Sequence, residues 1–283
     1  MKKLLPNILL ASVFLIGLAL LLYPAISNYV NTRHQSHAVA SYENDMAKLA
    51  PEDYTPILQA AQAYNAALLD KPDRFLQTDE EAAIYQSLLD PTSNGIMGYV
   101  EIEKIGVKLP IYHGTDESVL QVGAGHVEGT SLPVGGIGTH CAISGHRGLP
   151  SAMLFTDLDQ LVVGDTFVLH VLDQTLTYQI DQILVVKPSD LDTLEIDPAK
   201  DYCTLITCTP YGVNSHRLML RGIRTENAAQ QPTTAATAPL AEQTPYDATA
   251  GLIVIAILAL VLILLIRSIG RKKASDSISV DTK

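Results

Sequence analysis

Three cysteines, Cys141, Cys203 and Cys208, are all that the 283 residues hold. That excludes a small disulfide-stapled scaffold. A zinc site drawn from Cys141, His146, Cys203 and Cys208 has no support in spacing, because neither C-x-x-C nor H-x-x-x-H occurs among them. Basic residues are also scarce, 19 Lys and Arg against 30 Asp and Glu, for a net charge of −11. Nucleic acid is a poor partner for such a chain, since phosphate binding needs clustered cations. No dinucleotide or P-loop glycine pattern is present, no EF-hand loop and no internal repeat. No cofactor and no metal is expected.

The apolar content is concentrated at the two ends. Residues 8–23 are almost wholly apolar and uncharged, and residues 248–266 carry no charge over 19 positions. About 20 apolar residues span a bilayer core, so the second run reads as a transmembrane helix and the first nearly does. Lys2 and Lys3 precede the first run; Arg267, Arg271, Lys272 and Lys273 follow the second. Positive charge stays on the cytoplasmic side, which puts both termini in the cytoplasm and the intervening domain outside the cell membrane. Between residues 24 and 247 stand twelve Lys and Arg and 28 Asp and Glu, as suits an exported acidic domain. Ala25-Ile26-Ser27 offers a small-residue cleavage site, so residues 1–26 are a membrane anchor or a signal segment. The length of the run, and its continuation into polar helical sequence, favour the anchor.

Residues 27–97 read as N-terminal helices. Residues 27–69 are helical in pattern, with Pro51 suited to a first turn and Tyr54, Ile57, Leu58, Ala61, Tyr64 and Leu68 recurring at helical spacing. Residues 71–77 form a polar loop and 80–89 a short helix. From Gly98 the pattern turns to strands, at 99–102, 107–111, 140–145, 166–172, 175–186, 202–207 and 217–223, separated by Gly and Pro clusters. Some seven short strands within residues 98–224 predict a β barrel or sandwich. One helical insertion is expected at 149–161. Residues 225–247, rich in Ala, Thr, Gln and Pro, read as a flexible linker. The transmembrane helix at 248–269 and a cytoplasmic tail at 270–283 complete the chain.

The chemistry concentrates in residues 204–222, TLITCTPYGVNSHRLMLRG. A strand runs into Cys208, Thr209-Pro210 ends it, and a second strand brings Arg217 back alongside. A thiol at a strand end lies at a barrel rim, within reach of substrate. A thiolate gains from a cationic neighbour, and a guanidinium can stabilise the oxyanion formed by attack on an amide. The leaving amine needs a proton donor. His146, flanked by glycines after the apolar strand 141–144, is the best candidate. The remaining histidines sit in helix, strand or loop contexts that give them no such freedom. Cys141 and Cys203 read as core residues, and Arg221 as a surface charge.

These segments resemble the sortases, specifically the class C, pilin-polymerising sortases of Gram-positive bacteria. The region around Cys208 is similar to the family pattern TLxTCTPYGxNxHRL. SGHRGLP at 144–150 resembles the surroundings of the family's catalytic histidine. GYVEIEKIGVKLPIYHG at 98–114 and GHVEGTSLP at 125–133 match as well. The resemblance implies a mainly β fold, an eight-stranded sortase β barrel with N-terminal helices, flanked by two transmembrane helices. It implies cleavage of an LPxTG-like sorting signal between Thr and Gly and acyl transfer to an amine, with Cys208 as nucleophile, His146 as acid and base, and Arg217 as oxyanion or substrate stabiliser. The partners it implies are pilin and surface proteins bearing that signal, together with the membrane. Class C enzymes usually carry a lid built on Asp-Pro and an aromatic. Asp73-Arg74-Phe75 lacks the Pro and Asp90-Pro91-Thr92 lacks the aromatic. Asp73 and Phe75, in the loop after the amphipathic helix, are the preferred lid residues, with Phe75 over the apolar rim and Asp73 near Arg217 or Cys208. The alternatives are anchoring of surface proteins to a peptidoglycan precursor, a cysteine peptidase, and an inactive membrane-anchored binding module.

Overall fold

The computed structural model describes residues 5–226. The second apolar run, the linker and the tail lie outside the described residues. Four helices, α1 (Leu5–Met46), α2 (Pro51–Leu69), α3 (Asp79–Ser87) and α4 (Glu117–Leu120), accompany eight strands. These are β1 (Ile96–Ile102), β2 (Val107–His113), β3 (Ala124–His126), β4 (Thr139–Ser144), β5 (Thr166–Val171), β6 (Gln174–Val186), β7 (Asp201–Thr209) and β8 (His216–Arg224). They close a barrel in the order β1-β2-β3-β4-β7-β8-β6-β5. The β2–β3 and β4–β7 pairs are parallel; every other pair is antiparallel.

Period-2 alternation divides the side chains of β4 and β7 between two faces, both buried. Cys141, Ile143, Cys203 and Leu205 point into the main core, while Ala142, Ile206 and, on β8, Met219 join a second apolar cluster on the outer face. That outer face is covered by the β6–β7 connection through Leu194. Both faces of these strands are thus buried, and the polar side chains that fall there, His140 and Thr204, are paired with each other.

The helices are fixed by specific polar contacts. Pro51 opens α2, and the Asp53 carboxylate accepts the Ala50 N–H at 2.9 Å. Asn65, buried on α2, clamps Leu132: its side-chain nitrogen donates to the Leu132 carbonyl and its oxygen accepts the Leu132 N–H. Thr78 and Glu81 form a capping box that starts α3. On α1, the Tyr42 hydroxyl donates to Met97 O and accepts the Leu172 N–H. α1 runs unbroken through Pro24, and from Leu9 it is long and apolar enough to cross a membrane. The sequence reading places a helix at 149–161; the structure has turns and a short 3-10 segment, Leu158–Gln160, instead. There Leu154, Phe155 and Leu158 are buried, and Leu154 has φ +42°, so irregular backbone serves burial better than one helical stripe would. The three-residue β3 was not legible as a strand.

His140 is likewise fixed, on the outer face of β4. One ring nitrogen lies 2.8 Å from Glu195 O and the other 2.7 Å from the Thr204 hydroxyl. With Nδ1–H donating to the carbonyl, Nε2 accepts from Thr204, an arrangement that requires the neutral ring. Burial pushes its pKa down to about 4. Between pH 6.5 and 4 the unfolded chain therefore binds a proton that the folded chain refuses, and stability falls as pH falls. A loss on the order of 2–3 kcal/mol is expected over that window. Urea unfolding of the wild type and His140→Gln at pH 7 and pH 4 reads it. Equal pH dependence in the two proteins would remove His140 as the cause.

Candidate active site

Antiparallel β7 and β8 place Cys208 directly opposite Arg217. The connection between them folds on itself, with the Val213 and Asn214 N–H groups donating to Pro210 O at 3.1 and 2.9 Å. Asn214 has φ +58°, the left-handed region that Asn tolerates best after Gly. Cys208 is partly exposed, whereas Cys141 and Cys203 are buried. The Arg217 guanidinium donates through Nη1 to Asn214 O and His216 O at 3.3 and 3.2 Å. Its other donors make no bond among the described residues.

His146 follows β4. The Gly145 N–H donates to Ile206 O and the Thr207 hydroxyl to Gly145 O, which carries the β4–β7 ladder one residue further. Glycine is required at 145 because the Phe155 ring lies against it; a Cβ there would meet Phe155 Cδ2 at 2.6 Å. The Phe155 N–H also donates to His146 O at 3.0 Å. His146 Nε2 lies 3.2 Å from the Glu117 carboxylate on α4. Bonds from Gln121 first, and from His146, hold Glu117 below the usual carboxylate range. No sequence pattern marked Glu117 or Phe155, since both meet His146 only through the fold.

Cys208, His146 and Arg217 line one cavity of about 350 Å³. Its apolar wall includes Val127, Leu194, Ile206 and Met219. Phe75 packs on the cluster that forms this wall. Asp73 is exposed, and its carboxylate has no partner among the described residues, so it is not joined to Arg217. The residue between them, Arg74, is buried and donates to Gly129 O and Leu194 O at 2.8 and 2.7 Å. One arginine in a polar loop gives no signal of such a role. Asp90, in the alternative segment, accepts the Asn94 and Gly95 N–H groups and shapes the turn into β1.

A thiol, an imidazole and a guanidinium around one groove at a barrel rim can perform acyl transfer. The sortase domain model matches residues 100–225. Sortase A of Bacillus anthracis is 28% identical over 158 residues, covering 56% of this chain and 69% of the relative. Sortase C1 of Streptococcus agalactiae is 49% identical with a TM-score of 0.66, covering 68% of this chain and 99% of that one. Sortase C of Streptococcus pneumoniae is 44% identical with a TM-score of 0.61, covering 68% and 97%. The chain belongs to the sortase family, the cysteine transpeptidases. Within that family it is a class C sortase.

Proposed function

We propose that the chain polymerises pilin, cutting an LPxTG-like sorting signal between Thr and Gly and joining the threonyl carbonyl to a lysine of another subunit. The observation that carries this reading is that Cys208 alone of the three cysteines lines the groove, across from Arg217 and beside His146. The Cys208 thiolate attacks the threonyl carbonyl carbon, and the carbonyl oxygen takes up the negative charge. The Arg217 fork donates to it, and His146 gives its proton to the departing glycyl amine. A thioester remains. The lysine amine then attacks it, His146 takes up the amine proton, and an isopeptide bond forms as Cys208 leaves as thiolate. The apolar wall of the groove suits the Leu-Pro part of the signal. The Streptococcus pneumoniae relative, whose structure bears on pilin substrate specificity, supports the choice of acceptor.

In this reading α1 and the second apolar run both cross the cell membrane, the termini are cytoplasmic and the barrel is extracellular. The extracellular domain incubated with a sorting-signal peptide and pilin, followed by mass spectrometry, tests the reaction. It is expected to yield a Cys208 thioester and a lysine isopeptide. Release to water alone would assign a peptidase, and transfer only to a peptidoglycan-type amine would assign surface-protein anchoring.

Residues 71–77 act in this reading as a lid. Phe75 covers one side of the groove, and Arg74, more than Asp73, holds the segment down. Charged donors are worth about 1.5–3 kcal/mol each, so Arg74→Ala is expected to raise the rate of Cys208 modification by a small thiol reagent at least tenfold. Phe75→Ala raises it less, and Asp73→Ala scarcely changes it. Equal rates in wild type and Arg74→Ala would mean that the segment gates nothing.

A further inference from the structure

The same helix that enters the membrane is bonded to the rim of the active site. Asn28 and Asn31 lie on α1 shortly after its apolar run ends at Tyr23. Asn31 Nδ2 donates to Ser151 O at 2.8 Å, and Asn28 Oδ1 accepts the Met153 N–H at 2.9 Å. The loop they hold begins just after His146 and is tied back to it by the Phe155 bond. It ends in Met153, an apolar side chain left 50% exposed.

The heights follow from helix geometry. From Leu5 to Tyr23 α1 makes about 28 Å of helix, close to the roughly 30 Å thickness of the hydrocarbon core. Asn28 stands five residues further, about 7 Å along the axis, and the headgroup layer on each side is about 5–7 Å deep. Pro24 can bend α1 at the membrane edge and so change the tilt of the barrel, but only three residues separate it from Asn28. Tyr23, an exposed aromatic, stands where the core ends. Tyrosine prefers the interface.

We infer that the 150–153 loop rests in the headgroup layer of the bilayer, with Met153 as its apolar contact, so that the His146 side of the groove is held at the membrane surface. The occupant of this face is lipid. The inference rests on the reading that α1 crosses the membrane. Ile137, 74% exposed in the loop before β4, marks the opposite end of the barrel, because Ser144 and Cys208 stand at the other ends of their strands.

The test uses the full chain reconstituted in vesicles of phosphatidylcholine and phosphatidylglycerol, in a Cys208→Ala background whose two remaining thiols are buried. A single cysteine is placed by Met153→Cys, Ile137→Cys or Phe14→Cys and labelled with an environment-sensitive fluorophore. Lipids spin-labelled near the headgroup serve as quenchers, and lipids labelled deep in the chain serve for the Phe14 probe. The 153 probe is expected to shift its emission to the blue and lose intensity to the shallow quencher, while the 137 probe does neither. Asn28→Ala with Asn31→Ala should return the 153 probe towards the behaviour of the 137 probe. If the 153 probe behaves as water-exposed while the 14 probe is quenched deep in the chain, α1 spans and the inference is overturned. A 153 probe shifted to the blue but untouched by lipid quenchers would place a second copy of the chain on this face and also overturn it. If the 14 probe escapes the deep quencher, the span fails and the inference falls with it.

Discussion

Cys208→Ala is expected to abolish the acyl enzyme and every isopeptide product, while Cys141→Ala and Cys203→Ala retain both. The three thiols differ in what surrounds them. Cys141 and Cys203 face each other across β4 and β7 inside the barrel core, where no peptide can reach. Cys208 stands one residue from the end of β7, in the groove, opposite Arg217. Truncating the two core thiols removes packed sulfur, and the effect should appear as lower unfolding temperature rather than lost turnover. Mass spectrometry of each variant with a sorting-signal peptide reads the adduct directly. A thioester on Cys208→Ala, or its absence from a folded Cys203→Ala, would relocate the nucleophile.

Arg217→Lys is expected to lower kcat/KM by about 10²–10³, the cost of one lost oxyanion-type donor. The charge survives this change; the fork does not. In the structure one arm of the guanidinium donates to the carbonyls of Asn214 and His216, and the other makes no bond among the described residues. An ammonium is a point charge on a flexible stem. Steady-state rates with a peptide substrate decide the matter. Turnover near that of the wild type would reduce Arg217 to a source of general positive potential.

Most of the barrel was legible because its strands alternate and its turns are punctuated by Gly and Pro. The strands at 166–171 and 216–224 fall within one or two residues of where pattern puts them. β3 escaped because three residues in a Gly-containing stretch show no period, and its pairing with β2 is decided by the rest of the sheet. The 149–161 segment misled because its apolar spacing also suits a coil folded onto the core. Local context singled out Cys208, His146 and Arg217, and the structure brings all three to one groove. Glu117, Phe155 and Arg74 were not singled out, since each contacts the groove through residues distant in sequence. Of the residues preferred for a lid, Phe75 packs on the apolar cluster beside the groove and Asp73 is exposed, while Arg74 between them is buried and bonded to Gly129 O and Leu194 O.

The placement of β7 and β8 has a consequence for the birth of the enzyme. They are the last two strands in sequence, yet they fill the gap between β4 and β6. A chain emerging from its N-terminus presents His146 long before Cys208, with β4 and β6 still open edges. No groove exists until the final hairpin inserts and closes the barrel, and that same hairpin delivers both the thiol and the guanidinium. Reactivity is thereby withheld from every shorter, unfinished chain. Long-range parallel pairing such as β4 with β7 is slow to form, so the closing of the barrel is also the moment at which the catalyst first comes into being.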